Sequence, residues 1–143
     1  MKNRITATIV LSIVAIIVGM ALNFNDFLMG NPASMKNLLV TFAYITIWVL
    51  VLIIGIRNKN RGIMKYCSVF WIITLFISVV TWYANVTDSI VDWIIPFAIL
   101  FSGQWYGINF FVGNHLTTSI IIASISLIMF IVSVLSFRRT KQL

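Results

Sequence analysis

Residues 38–84 read LLVTFAYITIWVLVLIIGI-RNKNRGIMK-YCSVFWIITLFISVVTWYA: two uncharged runs of 19 residues, separated by a nine-residue connector that carries Arg57, Lys59, Arg61 and Lys65. As a helix each run measures about 28 Å, close to the roughly 30 Å hydrocarbon thickness of a bilayer. A soluble core helix would interrupt such a run with charges on its wet face. Both runs are therefore expected to cross a membrane, leaving the basic connector on the cytoplasmic side.

Working outward, Ile5 to Leu22 and Leu116 to Phe137 are also free of charge and long enough to span. The expected fold is an all-α integral membrane protein, a bundle of four transmembrane helices in a single domain over 1–143. The spans fall at about 5–22, 38–56, 66–84 and 116–137, with an outer loop over 85–115. Lys2 and Arg4 precede the first span and Arg138, Arg139 and Lys141 follow the last, so nine of the ten basic residues share one side with the connector. Asp26, Lys36, Asp88, Asp92 and His115 fall on the other. Both chain ends are thus expected in the cytoplasm.

Composition agrees. With 61% hydrophobic and 9% charged residues, the chain lacks the charged surface, about 25–35% of positions, that keeps a soluble domain dispersed. The net charge of +7 does not indicate nucleic acid, because the basic residues sit at the ends of apolar runs rather than on one folded face. It indicates anionic headgroups at the cytoplasmic face. Small size and Ile- and Asn-rich spans have a bacterial flavour, and the cytoplasmic membrane is the expected location. The lone Cys67 can form no internal disulfide.

Two other topologies compete. Lys2 and Arg4 before an apolar run resemble a signal peptide, but the run exceeds the roughly 7–15 residues of a signal core. A fifth span over 90–112 would place Arg138, Arg139 and Lys141 outside, and Ser102, Gly103, Gln104 and Asn109 in hydrocarbon. The stretch from Ile90 to Phe101 is read instead as a short membrane-associated helix in the outer loop. Ser89 and Asp92 stand at capping-box spacing, and Pro96 should bend or end the helix.

Lipid offers apolar helices no hydrophobic reason to associate, so small and hydrogen-bonding side chains mark the contacting faces. Such residues recur at helical spacing in every span: Thr8, Ser12, Ala15 and Gly19; Thr41, Tyr44, Trp48 and Gly55; Cys67, Trp71, Thr74, Ser78, Thr81 and, just beyond the span, Asn85; Ser119, Ala123, Ser126 and Ser133. Trp48, Trp71, Thr74, Ser78, Ser119 and Ser126 are the expected bundle interior. None of the four spans contains an ionisable Asp, Glu, Lys, Arg or His, which argues against proton relays, ion paths and voltage sensing.

No catalytic, cofactor-binding or metal site is expected. His115 with Asp88 and Asp92 makes a poor ligand set, and no nucleophile stands beside a base in any motif. The loop 85–115 is the place where a site fits, with Trp93, Phe97, Gln104, Trp105, Tyr106, Asn109 and His115 as candidate partner or ligand contacts. Function is expected to be non-enzymatic and by contact, with a protein partner or a second copy. The chain would be an accessory subunit of a membrane complex or an immunity-type protein against a membrane-active toxin. The alternatives are a small-molecule or lipid-binding transport protein with an outward cavity under the aromatic loop, and a hole-forming protein.

Overall fold

The computed structural model describes residues 2–87 and 92–140, with side chains from Ile5 onward; Asp88, Ser89 and Lys141, on which parts of the capping and charge readings rested, lie outside them. Every element in the described residues is helical. The order is α1 (Lys2–Met29), α2 (Met35–Arg57), α3 (Arg61–Thr87), a 3-10 turn (Asp92–Ile94), α4 (Ile95–Ser102), a 3-10 helix (Gly103–Ile108), α5 (Asn109–Val112) and α6 (His115–Arg139). Five stretches, against four expected, are long and apolar enough to cross a membrane; the additional one is Asp92–Val112, the broken segment before α6. Large apolar side chains such as Ile17, Phe42, Phe76 and Ile128 point outward at more than half exposure. Lipid tolerates such a surface, and water does not.

The helix ends follow local chemistry. α1 continues seven residues beyond Leu22, because nothing before Gly30 breaks it. Gly30 then adopts φ +63°, and the Asn31 N–H closes onto the Asp26 carbonyl at 3.1 Å, a left-handed stop that a side chain would resist. Asp26, expected in the connecting loop, therefore rides on the last turn of α1. Ser34 opens α2, its N–H and hydroxyl both donating to Asn37 Oδ1 at 2.7 Å. Asn60 Oδ1 accepts the Ile63 N–H at the start of α3, and Asn114 Oδ1 accepts those of Leu116 and Thr117 at the start of α6.

α3 and α6 are the main antiparallel pair. At one end the Arg61 guanidinium lies 5.4 Å from the Phe137 ring centre; near the other, Thr81 and Asn85 face Thr118 and Ser119 around a common cavity. The end that carries Arg61 and Arg139 is called the basic end below. Cys67, Trp71, Thr74 and Ser78 of α3 and Ser119, Ser126 and Ser133 of α6 are buried, as are Tyr44 and Trp48 of α2 and Ser12 and Ala15 of α1. Small side chains let the backbones approach, and dispersion then holds them.

Because α3 and α6 run antiparallel, the segment between them begins and ends at the end opposite the basic one. It does not lie flat there. Phe101 packs on Phe70 at 5.6 Å, and Trp105 packs edge-on against Tyr44 and Trp71 at 5.4 and 6.2 Å. Phe70 is about 25 Å from the end of α3 by helical rise, so the segment reaches deep among α1, α2 and α3 before returning. Tyr106 then donates its hydroxyl to the Asn31 carbonyl in the α1–α2 connection. Pro96 neither bends nor ends the helix. It sits in the first turn of α4, where its missing N–H costs no hydrogen bond.

A polar cavity beside the inserted segment

The break between α4 and the following 3-10 helix frees backbone groups that water cannot satisfy at this depth. Side chains from α1 and α2 take over. Asn23 Nδ2 donates to the Gly103 carbonyl at 3.1 Å. Thr41 Oγ1 donates to the Gln104 carbonyl at 2.7 Å and accepts the Gly107 N–H at 3.0 Å. Gln104 Nε2 turns back to the Leu100 carbonyl and also reaches the Ile16 carbonyl of α1 at 3.3 Å. Asn37 extends the network outward, donating to Asn23 Oδ1 at 3.1 Å and to Asp26 Oδ2 at 2.8 Å. Asp26 also accepts Lys36 Nζ at 2.8 Å, an ion pair at the surface of the bundle.

This anchoring fixes where the seven candidate contacts of the loop fall. Gln104, Trp105 and Tyr106 are 0%, 0% and 3% exposed, so they belong to the interior and not to an exposed aromatic surface. The physical reason is the pairing just described, which draws the backbone of 103–107 against α1 and α2. Trp93 and Phe97 remain more than 45% exposed, and Phe110 and Phe111 are exposed as well. Asn109 and His115 stand at the mouth of a cavity. Among the interior candidates, Trp48, Trp71, Thr74, Ser78, Ser119 and Ser126 are all buried. Trp48 and Trp71 pack edge-on at 5.1 Å and do not form the walls of an open groove.

The cavity holds about 280 Å³ between the inserted segment and the α3–α6 pair, at the end opposite the basic one. Thr81 and Asn85 of α3, Ser102 and Tyr106 of the segment, and Thr118 and Ser119 of α6 line it, with Phe27 closing one side. A second hollow of about 370 Å³ lies further out, bounded by residues 30–33, Phe110 and Gly113. Tyr106, Asn109 and His115 border both and form the partition between them. His115 stacks on Tyr106, ring centres 6.3 Å apart, and its Nδ1 meets Asn109 Nδ2 at 3.3 Å. Asn109 Oδ1 in turn meets the Thr118 hydroxyl. Each partition residue is thus held by its neighbours.

Two hydroxyls on the inner cavity are unspent. Thr81 Oγ1 is buried without a hydrogen-bond partner, and Ser102, 8% exposed, makes no side-chain hydrogen bond with any described residue. Most other serines and threonines of the spans bond the carbonyl one turn back, as Thr74, Ser78, Ser119 and Ser133 do. No Asp, Glu, Lys or Arg is among the described residues that line either hollow. Such an arrangement offers hydrogen bonds and aromatic surface to a guest.

Sequence reasoning missed Asn23 and Asn37, and it gave Thr41 only a helix-packing role. The available signal was an amide close to the end of each of two apolar runs, where an uncompensated polar group is costly. Comparison of the chain with protein-family models, with curated proteins and with solved structures found no match. Function is therefore read from the chemistry of the site.

Proposed function

We propose that this protein crosses the cytoplasmic membrane four times, with the basic end inside, and that it binds a small molecule or lipid headgroup in a cavity open to the exterior. Antiparallel α3 and α6 favour an even number of complete crossings, with 92–112 as a re-entrant segment. The charge distribution favours the orientation. The single observation that carries the binding reading is the polar cavity beside that segment, which no described Asp, Glu, Lys or Arg lines, with a buried unpartnered hydroxyl at Thr81 and a second hydroxyl at Ser102 that bonds no described side chain or backbone group. Irregular backbone at membrane depth is tolerated where it is enclosed by protein or lines a cavity, and this segment does both.

Native mass spectrometry of the protein released gently from the membrane tests the reading. One stoichiometric bound small molecule is expected. Its absence from preparations that retain annular lipid would count against it.

A second reading, action by contact as an accessory subunit or immunity-type protein, is favoured by the exposed side chains of Trp93, Phe97, Phe110 and Phe111 at the same end. Trp105 and Tyr106 cannot report on it, since their loss would disturb the core. Trp93→Ala with Phe97→Ala tests it cleanly: reduced crosslinking to a native membrane partner at unchanged expression is the expected outcome.

A further inference from the structure

We infer that the guest of this cavity is a neutral polyhydroxyl group, a single glycosyl ring, presented either as a free sugar or as the headgroup of a glycolipid. The inference rests on the binding reading above and names the chemistry of the same site.

Charge decides first. Neither hollow is lined by Asp, Glu, Lys or Arg among the described residues, and the inner one is walled by protein on several sides. An ammonium seated there would lose hydration without gaining a counter-charge, and an anion would meet only the His115 imidazole, already engaged by Asn109 and Tyr106. A neutral guest loses far less.

The kind of hydrogen bond decides next. Thr81 and Ser102 bring hydroxyls that can each donate one bond and accept others; Thr81 Oγ1 has no partner, and Ser102 makes no side-chain hydrogen bond with a described residue. Asn85 gives one N–H of Nδ2 to the Thr81 carbonyl at 2.8 Å, which leaves a second N–H to donate and its amide oxygen to accept. Sugar hydroxyls have the same dual character, so they can satisfy a mixed set that a purely donating or purely accepting guest cannot. Ketones and ethers would leave donors of their own missing.

Shape decides last. The inner cavity, about 280 Å³, lies just below the roughly 300 Å³ at which drug-sized sites begin, which suits one ring with its substituents. Phe27 and Tyr106, edge-on at 5.7 Å, both line it. The partly exposed Phe27 ring suits the C–H face of a pyranose while its rim of hydroxyls meets Thr81, Ser102 and Asn85. The outer hollow leaves room for an aglycone or a second residue beyond the Tyr106–Asn109–His115 partition.

The full-length protein in phosphatidylglycerol nanodiscs is titrated calorimetrically with methyl β-glucoside, methyl β-galactoside and N-acetylglucosamine, and with glucose 6-phosphate and glucuronate as charged controls. A parallel arm adds monoglucosyl diacylglycerol and reads retention by native mass spectrometry. Saturable binding in the first arm supports a free sugar, and retention in the second alone supports a lipid source. Thr81→Val and Ser102→Ala should each weaken the observed binding about five-fold, the worth of one hydrogen bond. Neither breaks an existing bond, so both should melt no lower than the parent, which separates a lost ligand contact from a lost fold. Charged controls that bind as well as the neutral sugars overturn the inference and leave the cavity reading standing. So does a co-purified ligand that is no glycoside, or one whose binding both variants leave unchanged. Failure of every probe, with no co-purified molecule, overturns both.

Discussion

Thr41 donates its hydroxyl to the Gln104 carbonyl at 2.7 Å and with the same oxygen receives the Gly107 N–H, so one α2 side chain closes both lips of a helix break 63 residues away in sequence. Valine has nearly the same shape and neither capacity. Thr41→Val removes the acceptor of the Gly107 N–H and leaves the Gln104 carbonyl only the longer bond from Asn23 Nδ2 at 3.5 Å, and should cost about 1–3 kcal/mol. Thr41→Ser should recover most of the loss. Thermal unfolding in one detergent, followed by tryptophan emission from the Trp48–Trp71–Trp105 cluster, measures both; a Thr41→Val protein as stable as the parent would remove the anchoring role.

Gly107 lies so close to α2 that any side chain collides with backbone. A Cβ there would meet the Asn37 carbonyl oxygen and come within 2.6 Å of Leu38 Cα. Gly107→Ala should therefore separate the segment from α2 and abolish accumulation of folded protein. Gly103→Ala, whose Cβ would find its nearest neighbour at 3.8 Å, should fold. Size-exclusion profiles of the two variants make the comparison. Equal profiles would show that the segment is not pressed against α2.

Single cysteines placed in a Cys67→Ala background should sort by side. Asn31 and Asn114 are exposed at the end opposite the basic one, and Asn58 is exposed at the basic end. A membrane-impermeant maleimide added to whole cells should label cysteine at 31 and 114 and spare it at 58 and 140. Labelling of 31 and 140 together, with 114 spared, would mean that the 92–112 segment crosses completely.

What could be read from the residues alone was chiefly lateral. Cys67, Trp71, Thr74 and Ser78 keep a spacing of four and three, and they lie buried because a helix puts that spacing on one face. Depth was harder to read. Trp105 and Tyr106 have the composition of interfacial aromatics, and the same composition serves an interior once a polar backbone is anchored beneath it. That anchoring depends on Asn23 and Thr41, which meet residues 103–107 only after the chain has folded over more than 60 positions. The last turns of α1 were hidden for a different reason: the apolar run stops at Leu22, while the helix stops only where Gly30 turns left-handed. Membrane length and helix length are separate quantities.

The polar claims of 103–107 also set a sequence of events in biogenesis. Until the Asn23 and Thr41 side chains are in place, that stretch has no alternative to water as a bonding partner. It must wait at the aqueous boundary while α1 and α2 are laid down and paired, and enter only as they close around it. A cell that delays the meeting of those two helices would be left with a half-finished protein whose Trp105 and Tyr106 have no interior to enter, an open target for proteolysis.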